Sequence, residues 1–309
     1  MQQGINTIIE TMPFPKDLKI VRGRKGMPWA VFIHGLGVGR EIWDDPSQTR
    51  ILGGLFTVSS IIRENCMPGG REKSLFHDLS ELGYSTLTWD IERPAQEMAF
   101  AVRELEGLMG FLRDTERPEA VVLIGHSRGG LIARKYLEKA EPFITGYVSL
   151  SAPHHGSSLA KWAEFVKPAA RFLGPLVSGQ SRAKIPTAAR RILKFMGSPV
   201  FRELLPGSEF FSSLGSPSVK CKSISAGGTD PHLFSVMGMD FPGVMGKILP
   251  AGKILPDEIR PGRGDGLVSA RSAIYPHAEE HLDFPVNHVE VVLDKRVRQA
   301  LVERIVSFN

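Results

Sequence analysis

The stretch Val121-Val122-Leu123-Ile124-Gly125-His126-Ser127-Arg128-Gly129-Gly130-Leu131 constrains this chain more than any other. Four apolar, largely β-branched residues read as a buried strand, and the residues from Gly130 onward suit a helix. Between them stands Gly-x-Ser-x-Gly, a pattern that sets a serine on a sharp strand-to-helix turn. Such a turn strains the serine backbone, and a side chain at Gly125 or Gly129 would collide with the neighbouring strand or helix. A helix starting beneath Ser127 aims its free N–H groups and its dipole at the hydroxyl, which favours negative charge there. The plain alternative is a glycine-flanked serine in an ordinary loop. The strand before it and the helix after it favour a nucleophile.

The 309 residues, 42% of them hydrophobic, can hold one large α/β domain with an inserted subdomain. No apolar run is long enough to predict a membrane span. Met1 to Lys16 shows no basic segment followed by an apolar core, so the expected compartment is the cytoplasm, with secretion requiring a signal removed from the chain. Cys66 and Cys221 are too few for a disulfide framework, and no Cys/His spacing matches a structural zinc site. The net charge of +5 is concentrated between Ser157 and Gly215, which holds nine Lys/Arg against three acids. That stretch matches no nucleic-acid-binding motif and has no aromatic stacking pattern, so no nucleic-acid partner is expected. A solvated helix face is the first reading of such charge.

Strand patterns at Trp29–Ile33, Tyr84–Ile91, Val121–Ile124, Tyr147–Ser151 and Lys220–Ala226 alternate with helical patterns. The helices expected are Leu52–Arg63, Glu72–Leu82, Gln96–Arg113, Gly130–Ala140 and Val297–Phe308, with an edge hairpin around Leu18–Val21. This alternation predicts an α/β fold, with a mostly parallel sheet covered on both faces. Residues 157–215 interrupt it with amphipathic helical pieces, Leu159–Leu173 and Thr187–Met196. A segment this long between strands should be a folded insertion. The Gly/Pro-rich Met237–Gly264 reads as irregular.

A nucleophilic serine needs a base, a carboxylate to orient that base, and donors for the oxyanion. With the chain order Ser, acid, His, the acid candidates are Asp265, in Gly264-Asp265-Gly266-Leu267-Val268, and Asp230 in reserve. An Asp between glycines is more often a plain turn former. Of the following histidines, His288 in Asn287-His288-Val289-Glu290 precedes the last amphipathic helix and is the expected base. His277 and His281 sit in a charged stretch and read as solvated, and His232 is not selected. His34-Gly35, after an early strand, brings in the backbone N–H of Leu36 as one oxyanion donor beside that of Arg128. Gly35-x-Gly37-x-Gly39 departs from the dinucleotide fingerprint, since position 40 is Arg and Asp90 lies too far on.

Together these segments resemble bacterial lipases and esterases of the α/β-hydrolase fold, from Trp29 to Val306. The matching motifs are His34-Gly35-Leu36-Gly37, Gly125-His126-Ser127-Arg128-Gly129-Gly130, Ser151-Ala152-Pro153-His154-His155-Gly156-Ser157, Gly264-Asp265-Gly266-Leu267-Val268 and Asn287-His288. The resemblance implies a single domain over residues 1–309 with a helical lid at about 157–215, and ester hydrolysis with no cofactor. It gives Ser127, Asp265 and His288 the catalytic roles. A thioesterase, an amidase, an acyltransferase or an inactive binding scaffold would fit the same residues. Expected partners are a small-molecule or lipid ester and, through the basic lid, an anionic lipid interface. The Arg40–Gly83 connection, with Trp43-Asp44-Asp45 and Leu52-Gly53-Gly54, is longer than the pattern. Some lipases of this type hold a calcium ion near the base. Glu290 and Asp294 raise that question here without a full ligand set, and no metal is assigned.

Overall fold

The computed structural model describes residues 15, 17–51, 54, 56–63, 72–139, 142–158, 198–217, 220–233 and 256–308. Along the chain run β1 (Leu18–Val21), β2 (Trp29–Ile33), the short helix α1 (Glu41–Asp44), the two-residue strands β3 (Arg50–Ile51) and β4 (Phe56–Thr57), and α2 (Leu75–Glu81). There follow β5 (Ser85–Trp89), α3 (Met98–Phe111), β6 (Val121–His126), α4 (Arg128–Tyr136), β7 (Ile144–Leu150), β8 (Lys222–Gly228), β9 (Glu280–Phe284) and a closing helix, Lys295–Val306.

Seven strands form one sheet in the order β1-β5-β2-β6-β7-β8-β9. All neighbours are parallel except β1, which pairs antiparallel with β5 in the register Leu18↔Trp89. Both faces of the central strands are buried, and alternate residues serve opposite cores. Ala30 and Phe32 of β2, with Val122 and Ile124 of β6, pack under α2 and the closing helix. Trp29, Val31 and Ile33, with Val121 and Leu123, pack under α3 and α4. This accounts for the continuous apolar run before Gly125. β6 thus lies at the middle of the sheet, and its carboxyl end, a rigid platform, carries Ser127.

The α/β expectation holds, and three local expectations are corrected. The helix expected at Leu52–Arg63 is instead the β3–β4 hairpin followed by a single turn at Val58–Ser60. Its apolar spacing imitates a helix, but Gly54 takes φ +89°, which a helix excludes. The edge hairpin around Leu18–Val21 is one edge strand paired with distant β5. The charged stretch around His281, read as solvated, contains β9, the opposite sheet edge. No residue of β9 is fully buried, so its sequence lacks an apolar signal, and charge there suits an exposed edge.

Of the segment 157–215, residues 159–197 lie outside the described residues, and with them both expected lid helices. So do residues 237–255 of the Gly/Pro-rich stretch. The described end of the segment is not a separate layer. Pro199–Glu203 and Glu209–Ser212 form two short helices whose Val200 and Phe210 join the core under α3 and α4. A carboxylate oxygen of Glu203 accepts the Met98 N–H at the start of α3, at 2.6 Å. Among the described residues, no helix is long and apolar enough to cross a membrane.

Candidate active site

Ser127 follows β6 with φ +54° and ψ −124°, a conformation that costs a non-glycine residue about 1–3 kcal/mol. The turn is pinned on both sides: the Ser127 N–H donates to the Leu150 carbonyl, and the Gly130 N–H to the Ser127 carbonyl. The flanking glycines are required by contact. A Cβ on Gly125 would lie 2.4 Å from the Gly130 nitrogen, and one on Gly129 would lie 2.2 Å from the Ile33 carbonyl oxygen. In both cases the atoms met are backbone and cannot rotate away. Gly129→Ala is therefore expected to force α4 from β2 and lose about 3 kcal/mol of stability, measured as a fall in the urea midpoint.

His288 and Asp265 are both buried. The His288 Nδ1–H donates to Asp265 Oδ2 at 2.8 Å, and the His288 backbone N–H donates to the Asp265 carbonyl at 2.9 Å. The other carboxylate oxygen, Oδ1, accepts the Leu267 and Val268 N–H groups at 3.0 and 2.7 Å. Turn former and histidine partner are thus the same residue, one oxygen for each task. Gly266, at φ +99°, lets the chain double back between them. Burial alone would raise the Asp265 carboxyl. The charge and ring N–H of His288, with the Leu267 N–H, outweigh burial and hold the carboxyl below its ordinary range.

His126 joins the serine turn to the base. Its ring lies 4.8 Å from that of His288, and its Nε2–H donates to the His288 carbonyl at 2.9 Å. Burial, then the nearby His288, pushes its pKa down to about 3, so the ring is neutral and the donor must be Nε2.

Both candidate oxyanion donors are backbone groups. Arg128 opens α4, and an N–H at that position has no partner within the helix. Gly35 packs so closely on the serine turn that a Cβ there would lie 2.9 Å from the Cβ of Ser127. His34 Nε2 accepts the Ile91 N–H at 3.1 Å, so Nδ1 carries the proton and donates to the Gly35 carbonyl at 2.8 Å. That carbonyl and the Leu36 N–H belong to one trans peptide and point in opposite senses. Clamping one therefore fixes the other. The Arg128 side chain is also buried, and it donates to the Pro94 and Gln96 carbonyls at 2.8 and 3.3 Å. Burial lowers its pKa to about 10, which leaves it a cation at neutral pH.

The remaining candidates stand elsewhere. Asp230 gives Oδ1 to His232 and Oδ2 to Arg63, so the reserve acid does not hold His288. His277 is exposed. His281 is not merely solvated: it bridges Ser225 Oγ at 2.7 Å and Asp283 Oδ1 at 3.1 Å. This second Ser–His–Asp chain has no access to substrate, because Ser225 is fully buried inside β8. Glu290 and Asp294, the acids considered for a metal, serve Arg63 and the N-terminus of the closing helix, respectively. Among the described residues, no group of three His, Cys, Asp or Glu is placed to hold a metal ion. The contacts of His34, His126 and Arg63 are not legible in the sequence. The histidines stand inside recognised motifs without an assigned role, and Arg63 lies 227 positions from Glu290, the carboxylate it holds.

A family model described as the alpha/beta hydrolase family matches residues 30–219. Among solved structures, a Bacillus licheniformis lipase in mature form is similar at 18% identity and TM-score 0.54, over 95% of this chain and 99% of that one. The propeptide form of that lipase gives 15% identity and TM-score 0.58, over 95% of this chain and 54% of that one. At these identities the likeness is one of fold. No curated protein sequence matches the chain.

Proposed function

The chain belongs to the alpha/beta hydrolase family, and from that premise we propose that it is a serine hydrolase cleaving carboxylic esters. One observation carries the reading: the strained Ser127 turn is joined through His126 to the backbone carbonyl of His288, whose imidazole Nδ1 is bonded to buried Asp265. In this reading the Ser127 hydroxyl attacks the ester carbonyl while His288 Nε2 removes its proton. The developing oxyanion is held by the Leu36 and Arg128 N–H groups. Collapse expels the alcohol, which takes its proton from His288, and water releases the acid from the acyl-enzyme by the same steps. Asp265 keeps the Nδ1–H tautomer and balances the imidazolium charge.

The finer proposal concerns residues 157–215. Their basic and apolar composition supports a lid that meets anionic lipid interfaces and admits longer acyl chains. A fluorophosphonate probe and a panel of p-nitrophenyl butyrate, octanoate and palmitate esters, with and without anionic vesicles, test both levels. Labelling at Ser127 with ester turnover supports the hydrolase. Absence of labelling would point to an inactive scaffold. Best turnover on butyrate with no vesicle effect would reduce the lid to a fixed cap.

A further inference from the structure

The loop that carries His288 is held by a cation from the first quarter of the chain. Arg63 grips Glu290 at two points: Nε donates to Oε1 at 2.8 Å and Nη2 to Oε2 at 2.6 Å. Its Nη1 donates to Asp230 Oδ2 at 2.9 Å, Nη2 also reaches the Pro285 carbonyl at 3.0 Å, and its backbone N–H adds a bond to Glu290 Oε1 at 2.9 Å. Glu290 is fully buried and stands two residues after His288. Its Oε2 also accepts the Asn287 N–H at 3.0 Å. The Asn287 side chain accepts the Val289 and Glu290 N–H groups and donates to the Ile61 carbonyl at 3.2 Å. The residues on both sides of His288 are therefore anchored to residues 61–63, and the chain leaving β8 and the chain leaving β9 end on the same guanidinium.

We infer that Arg63 is a positioning residue for His288, a partly exposed cation that, through buried Glu290, fixes where the imidazole stands relative to Ser127. The inference rests on the hydrolase reading above. These bonds of Arg63 go to Glu290, Asp230 and Pro285 rather than to the imidazole, so its removal leaves the His288–Asp265 bond available. What it removes is the guanidinium paired with Glu290, and a buried carboxylate without its partner is costly enough to move or hydrate the segment around it. A misplacement of about 1 Å in a reacting group costs on the order of 100-fold in rate. Lysine is a poor substitute, because a single ammonium cannot span both carboxylates with the planar fork that guanidinium provides.

Kinetics on p-nitrophenyl butyrate and the rate of fluorophosphonate labelling, for wild type, Arg63→Ala, Arg63→Lys and Asp230→Asn, test the assignment. Arg63→Ala is expected to lower kcat and labelling by about 10- to 100-fold with KM little changed. Added guanidinium ion, well below denaturing concentrations, should restore part of that loss by filling the vacated site. Arg63→Lys should recover less than guanidinium does. Asp230→Asn keeps the grip on Glu290, so it should fold and lose only a few-fold in kcat, which maintains the test if Arg63→Ala fails to fold. An active wild type whose Arg63→Ala labels and turns over normally would overturn the positioning role alone. So would a loss that guanidinium does not relieve and that only tracks a fall in melting temperature. A wild type that neither labels nor hydrolyses would remove the hydrolase reading, and the inference with it.

Discussion

Ser127→Ala is expected to abolish ester turnover and leave the protein folded. The hydroxyl is half-buried at the end of β6, and its removal takes one oxygen from a turn held by backbone bonds to Leu150 and Gly130. A small residual rate over water should remain, because the oxyanion donors and the binding surface survive the loss of the nucleophile. The strain at φ +54° adds a second readout. Ser127→Gly should be equally inactive, yet more resistant to urea than Ser127→Ala by about 1 kcal/mol, because glycine enters this region without strain. Circular dichroism, urea midpoints and p-nitrophenyl butyrate hydrolysis on the three proteins check both effects. Substantial turnover by the alanine variant would show that Ser127 is not the nucleophile.

The legible part of this molecule is local. A buried parallel strand must be apolar on both faces, so Val121–Ile124 announces itself, and the glycines after it mark a turn that tolerates no side chain. Asp265 and His288 are readable because their order along the chain is constrained by the chemistry. What the sequence hides is pairing at a distance. β9 carries charge because it is an edge, and its place is set by its register with β8, Ile224↔Glu280, which no periodicity encodes. The contact of Arg63 with Glu290 joins residues 227 positions apart. The helix expected over Leu52–Arg63 fails for a related reason: apolar spacing reports which residues are buried, whereas Gly54 decides the backbone. His126 shows the same limit inside a motif. Its position between Gly125 and Ser127 is visible in the sequence, but its role as donor to the His288 carbonyl exists only once two distant loops meet.

Asp265→Asn is expected to cost on the order of 10,000-fold in kcat, approaching the effect of His288→Ala, although it changes one atom. The reason lies in the second carboxylate oxygen. Asp265 Oδ1 accepts two backbone N–H groups, from Leu267 and Val268, and that place can be filled only by an acceptor. The asparagine must therefore put its carbonyl there and turn its amide NH2 towards His288 Nδ1. An NH2 facing Nδ1 requires that nitrogen to be unprotonated, so the ring proton moves to Nε2, the atom that must accept the serine proton. The base is then present, well placed and already protonated. His288→Ala removes it altogether and should be at least as severe, with both variants folded by circular dichroism. Asp230→Asn provides the contrast, because Asp230 is bonded to Arg63 and His232 rather than to the base. It should fall only a few-fold. Were Asp230→Asn the crippling change and Asp265→Asn the mild one, the acid would have been assigned to the wrong loop.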